Sequence, residues 1–290
     1  MTKQAVEIPP VVETSSRPPR RLRLPSARHL ILLPLALVMV TPLAWMVMTS
    51  IQTPEEALQF PPVLPSGIHW QNYPDAFAAA PFGRFFLNSA VVTCTVVLSN
   101  LVLCSLAGYA FARFRFLGGN VLFVVLLATL MVPFQVVMIP TFLIIRSAGL
   151  IDTLGALILP NLASGFGIFM MRQFFRTLPI ELEEAARIDG CSRLGTLVRI
   201  VLPLSGPALA TLAVITFLYT WNDFLWPLVI IQSENNMTLQ LGLSSFQGAH
   251  DTQWTLLMAG NVMVVVPMLL AFLLAQRHFV NSIASAGVKG

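Results

Sequence analysis

"ELEEAARIDGCSRLGTLVRIVLP", residues 181–203, sets four acids and three arginines between two apolar runs, in a chain with only 10% charged residues. The pattern reads as two short amphipathic helices joined at a glycine. Pro179 can start the first, and Glu181, Glu183 and Glu184 fall in its opening turns, where the helix dipole favours acids. Glu183 and Arg187 stand as an i,i+4 pair in the favourable order. Leu182, Ala185, Ala186 and Asp189 share one small, mostly apolar face. Gly190, able to take positive φ, ends that helix. Leu194, Leu197, Val198 and Val201 then recur at helical spacing, and Leu202-Pro203 closes the segment. Such a hairpin either lies against lipid headgroups or is presented to a groove on another protein.

The flanking runs show its setting. The 290 residues are 56% hydrophobic, with mean hydropathy +0.77. Soluble domains carry roughly a quarter charged residues; this chain has less than half of that, so water is not its only solvent. A bilayer core of about 30 Å needs about 20 apolar residues in a helix. Stretches near 30–51, 86–112, 121–145, 154–171, 207–231 and 256–276 qualify or nearly so, the fourth being shortest and carrying Pro160 and Asn161. The expectation is an all-α polytopic membrane protein with six transmembrane helices. Prolines 34, 42, 133, 160, 227 and 267 lie inside these runs, which membrane bundles tolerate because neighbours satisfy the freed carbonyls.

With six spans, all of the 17 basic residues except Arg84 and Arg146 fall on one side. The positive-inside rule makes that side the cytoplasm. Residues 1–28 read as a disordered basic cytoplasmic tail, 29–51 as an uncleaved first transmembrane helix and 52–85 as an extracytoplasmic segment with a short helix near Asp75–Ala80. Residues 86–278 read as a five-helix core carrying the cytoplasmic hairpin 179–203, and 279–290 as a cytoplasmic C-terminal tail. The net charge of +4 and pI near 9.3 reflect this topology rather than nucleic-acid binding, since the arginines border apolar runs. Cys94, Cys104 and Cys191 lack ligand or disulfide spacing, so no metal site is expected. The only lysines are Lys3 and Lys289, so no Gly-Lys-Ser/Thr nucleotide loop exists.

Glu184-Ala185-Ala186, then Asp189-Gly190, then Ile200-x-Leu202-Pro203 resembles the EAA motif of binding-protein-dependent ABC importer permeases. Cys191 and Leu197 depart from that pattern only by replacing a common alanine and a common aromatic. "NYPDAFAAAPFGRFFLNS" (72–89), "LAGYAFARFRF" (106–116), "WNDFLWPLVI" (221–230) and the terminal "AGVKG" are similar to the sugar-importing branch, the maltose-type second subunit. The resemblance runs from about residue 29 to the end. It implies a type I ABC importer permease fold in a bacterial or archaeal inner membrane. It also implies a heterodimer with a second permease subunit, an ABC ATPase dimer that uses ATP and Mg, and an extracytoplasmic solute-binding protein. The chain itself would bind no cofactor and catalyse nothing. The hairpin would be the coupling helix. Glu184 would face polar groups of the ATPase, Ala185 and Ala186 would permit close approach, Asp189 would complete the motif beside the bend at Gly190, and Ile200, Leu202 and Pro203 would fix the hairpin to the fifth span. The expected function is import of a sugar or oligosaccharide; sn-glycerol-3-phosphate or another small solute is the alternative cargo.

"YTWNDFLWPL" (219–228) holds the only acid expected inside a span, Asp223. Intramembrane acids usually face a cavity or a partner. Trp221 and Trp226 offer faces for sugar rings, and Asn222 and Asp223 offer hydrogen bonds to hydroxyls, which makes the four a candidate substrate pathway. The preferred structural reading makes the tryptophans interfacial anchors and has Asp223 capping or pairing structurally. Asn88, Asn100, Asn161 and Asn261 read as interhelical glue. No intramembrane Asp pair, Gly-x-Ser-x-Gly or His-Glu-x-x-His suggests a membrane hydrolase. A secondary transporter would show inverted repeats and several intramembrane ionisable groups. No arginine or lysine sits well inside a span, which favours a neutral cargo.

Overall fold

A computed structural model describes residues 27–248 and 252–286. Nearly all of the expected basic tail, and the last four residues of the C-terminal tail, lie outside them. The described residues are helical, with one isolated bridge between Gln247 and Thr252. Residues up to Ala44 form one contact unit and those from Trp45 onward a second; the second holds every site considered below.

The first helix, α1, is Ala27–Ser50, with Pro34 and Pro42 inside it. The following segment folds back through a capping box at Thr53 and Glu56 and a short helix, α2, Asn72–Ala79. The Asn72 amide donates to the carbonyls of Ser50 and Gln52, 2.9 Å each, pinning α2 to the end of α1.

The mast of the bundle is α3, Phe82–Arg113. Its buried side mixes small and polar residues, Ser89, Thr93, Asn100, Cys104, Ser105 and Gly108, with the larger Phe82, Phe85, Val92, Val96 and Tyr109. Its outer side carries Val91, Leu98, Val102 and Leu106, all exposed. This arrangement suits lipid, because apolar tails compete equally for leucine and close backbone approach becomes the main gain from packing. Gly108 permits one such close approach of backbones. A Cβ there would lie 2.9 Å from the Arg172 nitrogen and from Met171 Cβ.

Helices α4 (Gly119–Thr129) and α5 (Phe134–Ser147) replace the single third span expected over 121–145. They meet at 103° across the break ended by Pro133, whose ring cannot continue a helix from the preceding turn. The fourth stretch is apolar enough to cross over Leu154–Thr177. It consists of a short helix, a 3-10 turn at Leu159–Asn161, and α6, Gly165–Thr177. The hairpin helix α7 is Glu181–Ile188. Residues Arg193–Leu204 then bend by 81° into α8, Gly206–Trp221.

The expected fifth span, 207–231, therefore stops at Trp221, and Leu225–Ile230 is a separate short helix. The last helix, α9, is Trp254–Ala286, so helix continues into the expected C-terminal tail. Among the described residues, four helices are long and apolar enough to cross a membrane, or up to six if each bent pair counts as one span.

Opposite the hairpin, Asp152 ties two loops together from a left-handed conformation, φ 59°. Its carboxylate accepts the N–H groups of Gln232 and Ser233 and the Ser233 hydroxyl, all at 3.0 Å. The Ser233 and Gln232 amides hold its pKa down at about 2, against an ordinary 3.8. Arg84 and Asn88 bind the same loop through the Asn235 and Met237 carbonyls.

Two outcomes follow from these contacts. Gly108→Val should cost about 1–3 kcal/mol through overpacking, read as loss of monodisperse protein in detergent and a lower unfolding temperature. Because folding depresses the Asp152 pKa, its clamp is fully stabilising above pH 3.8 and fades as pH falls towards about 2. The unfolding-temperature gap between wild type and Asp152→Asn should be full at neutral pH and close over that window.

Candidate functional site

Two features stand out: the hairpin, and a cavity between the broken helices. In α7, Glu181, Glu183 and Glu184 occupy the first turn and Arg187 the last. The C-terminus closes with the Gly190 N–H donating to Arg187 O at 3.0 Å and the Cys191 N–H to Ala186 O at 2.9 Å. This is a Schellman closure around Gly190 at φ +84°, a region that favours glycine. Ser192 caps the next turn by accepting from the Gly195 N–H at 3.1 Å. A π-helical turn at Leu197–Val201 leads to Leu202 and Pro203. Leu197 and Val201 are buried beside Phe175 and Leu212, packing this arm against α6 and α8.

Glu183 does not join Arg187 in a surface pair. Its side chain turns inward and is buried. One carboxylate oxygen accepts the Arg113 Nε at 2.6 Å, the other the Tyr109 hydroxyl at 2.8 Å. Arg113 also donates to Leu178 O at 2.8 Å. An enclosed, charge-assisted, multiply bonded pair outweighs an exposed i,i+4 pair. The hairpin is thereby tied to the end of α3.

The remaining motif residues divide by exposure. Glu184, Ala185, Asp189, Gly190 and Pro203 are exposed, Ile200 and Leu202 are half-buried, and Ala186 is buried under the helix. Ala186 thus leaves the outward face it was expected to share with Leu182, Ala185 and Asp189. Exposed Leu182, Ile188, Leu194 and Val198 give the hairpin an uncovered apolar surface.

The cavity, ≈600 Å³, lies where α4 breaks from α5 and the 3-10 turn meets α6. Asn100, buried in α3, holds the second break. Its amide donates to the carbonyls of Asn161 (2.7 Å) and Leu162 (3.3 Å), and its oxygen accepts the Ser164 N–H at 3.1 Å. Ser164 in turn caps α6 by accepting from the Gly167 N–H. Broken backbone at membrane depth is tolerated where protein covers it or a cavity adjoins it. Thr129, Asn161, Thr216 and Tyr219 bring polar groups to the lining, with Phe134 and Phe166 beside them; no charged side chain lines it.

The four residues expected along a substrate path do not line this cavity. Trp221 is buried, donates to Val264 O at 3.3 Å and stacks on Phe217. Trp226 is buried and donates to Ala156 O at 3.0 Å. Asp223 accepts the Trp226 N–H at 3.3 Å, and Asn222 accepts from Gln240. They close the end of α8 onto the next short helix. Tyr219, two residues earlier, reaches the cavity instead. Pro160 and Asn161 in the fourth stretch, with Pro133 in the third, were the available sign of it. No group of three metal-ligating side chains occurs among the described residues.

Comparison with known proteins gives a consistent result. The family described as binding-protein-dependent transport system inner membrane component matches residues 101–285. The arabinooligosaccharides transport system permease protein AraQ of Halalkalibacterium halodurans is 36% identical over 260 residues, 88% of this chain and 93% of the relative. The sn-glycerol-3-phosphate transport system permease protein UgpE of Pectobacterium atrosepticum is 39% identical over 241 residues, 80% and 86% of the two chains. Among solved structures, a chain of a bacterial ABC transporter involved in import of the acidic polysaccharide alginate superposes with TM-score 0.79. It is 25% identical, with 87% of this chain and 95% of that one covered.

Removing one partner from a buried pair costs about 3–5 kcal/mol. Glu183→Ala should therefore lower the unfolding temperature sharply and loosen the hairpin, measured as faster hydrogen exchange over 181–190. Restoring neutrality with Glu183→Gln plus Arg113→Gln should recover part of the loss.

Proposed function

Because the chain belongs to the binding-protein-dependent transport system inner membrane component family, we propose that it is the permease subunit of an ATP-driven importer for a sugar or oligosaccharide. In this reading the arginine-rich side and both termini are cytoplasmic, which the charge asymmetry supports. A second permease subunit completes the passage, an ABC ATPase dimer binds ATP and Mg, and an extracytoplasmic binding protein delivers the cargo.

The observation that carries the reading is the hairpin's construction. One face is locked to α3 through Glu183; the other leaves Glu184, Ala185 and Asp189 beside uncovered leucine and isoleucine. A helix with a fixed root and an apolar, acid-rimmed outer face suits a groove on another protein. Glu184 meets polar groups of the ATPase there, Ala185 permits close approach, and Ala186 packs underneath. Gly190 sets the bend, while Ile200, Leu202 and Pro203 join the arm to α8. Nucleotide-driven movement of the groove then moves the root and the spans attached to it, which is rigid-body alternating access.

The cavity is the cargo's path along this subunit. Hydroxyls and an amide at Thr129, Asn161, Thr216 and Tyr219, flanked by phenylalanines and free of charge, match a neutral polyhydroxylated solute. That mixture of apolar walls and a few placed polar groups is typical of small-molecule sites. Relatives named for sn-glycerol-3-phosphate favour an anionic cargo as the second reading, in which the partner subunit supplies the positive charge. Trp221, Asn222, Asp223 and Trp226 stay with the path only as the closure behind it.

The test is reconstitution with both partner subunits and the binding protein, followed by ATP-dependent sugar uptake. Uptake should require the ATPase and the binding protein; transport surviving without the ATPase overturns the reading. Gly190→Pro forbids φ +84° and removes the N–H bonded to Arg187. It should abolish uptake while the spans remain inserted, and unchanged uptake would remove the hairpin from the mechanism.

A further inference from the structure

The "LAGYAFARFRF" stretch is only half used by the hairpin. Tyr109 and Arg113 hold Glu183, whereas Phe111, Phe114, Arg115 and Phe116 form, with Phe123 and Arg172, the wall of a separate recess of ≈310 Å³. It lies between the end of α3 and the start of α4. Arg172 is positioned there by two contacts. Its Nε donates to Phe111 O at 3.2 Å, and its guanidinium carbon sits 3.8 Å over the Phe123 ring. That stacking leaves the two terminal nitrogens as donors for something else. Arg115, which lines the same recess, is exposed. No carboxylate lines the recess, and the nearby acid Glu183 is engaged elsewhere by Arg113. Two cations facing one hollow without a counter-charge form an anion site.

The surroundings narrow the anion's class. The recess opens at the arginine-rich boundary of the spans, beside Leu117, Val121 and Leu122, all strongly exposed, and below Val124 and Val125 on α4. A ligand fitting both parts has an anionic phosphate next to alkyl chains. We infer that this recess binds the headgroup of an anionic phospholipid, with the phosphodiester between Arg115 and Arg172 and the acyl chains along α4. Basic pockets between spans on the cytoplasmic side are suited to such headgroups. The inference rests on the membrane-spanning fold and on the cytoplasmic placement of the arginines, and needs neither cargo nor nucleotide.

The experiment counts bound lipid on the complete transporter by native mass spectrometry after incubation with phosphatidylglycerol or phosphatidylcholine. Phosphatidylglycerol should be retained preferentially. Arg115→Gln should weaken that retention about fivefold, the approximate worth of one basic residue at an anionic surface. Arg115→Gln with Arg172→Gln should weaken it further, Arg115→Lys should keep most of it, and Arg146→Gln on the other side should change nothing. If the double variant fails to assemble because the Phe111 tether is lost, the single Arg115→Gln result decides. Equal retention of the two lipids, or undiminished retention in Arg115→Gln, overturns the inference. Displacement of phosphatidylglycerol by inorganic phosphate alone would assign the recess to a free anion and overturn the lipid assignment. Since uptake is not measured, failure here leaves the transport proposal intact.

Discussion

Three side chains set the mechanical character of this protein. Glu183, Tyr109 and Arg113 meet in a buried cluster at 2.6 and 2.8 Å, and through them an eight-residue helix becomes part of a 32-residue one. Alone, a helix as short as α7 is unstable in water. Bonded to α3 it has a fixed orientation, with its dipole favouring the three acids of the first turn. Since α3 is about 48 Å long at 1.5 Å per residue, the hairpin is rooted in one long, continuous hydrogen-bonded helix. The Arg113 bond to Leu178 O adds the end of α6 to the same root.

The rest of the bundle is arranged around that long helix. Small and polar groups alternate with Phe85, Val92, Val96 and Tyr109 on the inward side of α3, while Leu98, Val102 and Leu106 face outward. Three buried clusters follow one another along it: Phe82, Phe85 and Trp221 at one end, Val96, Leu157 and Trp226 in the middle, and Tyr109, Phe175 and Leu212 by the hairpin. The middle and hairpin clusters flank the broken helices, so the cavity opens between firmly packed layers. The tryptophans belong to these layers, which is why their indoles bond to backbone carbonyls and do not face the cavity.

Much of this was legible beforehand. Hydropathy alone marks the apolar stretches, the arginine asymmetry gives them a common orientation, and the spaced Glu-Ala-Ala…Gly…Leu-Pro pattern marks the hairpin and its positive-φ residue. What periodicity does not carry is direction in space. Pro133 announces an interruption but not a turn of 103°, and Pro203 and Gly206-Pro207 mark a break beside Ser205 but not its 81° bend. Glu183 was misassigned for a related reason. Counting by four finds Arg187, whereas the stronger cation arrives from a helix seventy residues away. The tyrosine and arginine of "LAGYAFARFRF" are its only trace in the sequence. Trp221, Asn222, Asp223 and Trp226 stand out in the sequence because an acid between tryptophans attracts attention, whereas the tyrosine and the asparagine-bearing stretch that line the cavity do not.

The joint at Asn100 has a wider consequence. A helix interrupted in hydrocarbon leaves backbone groups that need partners from the protein around it. Here a carboxamide from the neighbouring helix supplies them, bonding to Asn161, Leu162 and Ser164 at once. One side chain thus fastens both halves of the broken stretch to α3, and losing it would release the two segments together.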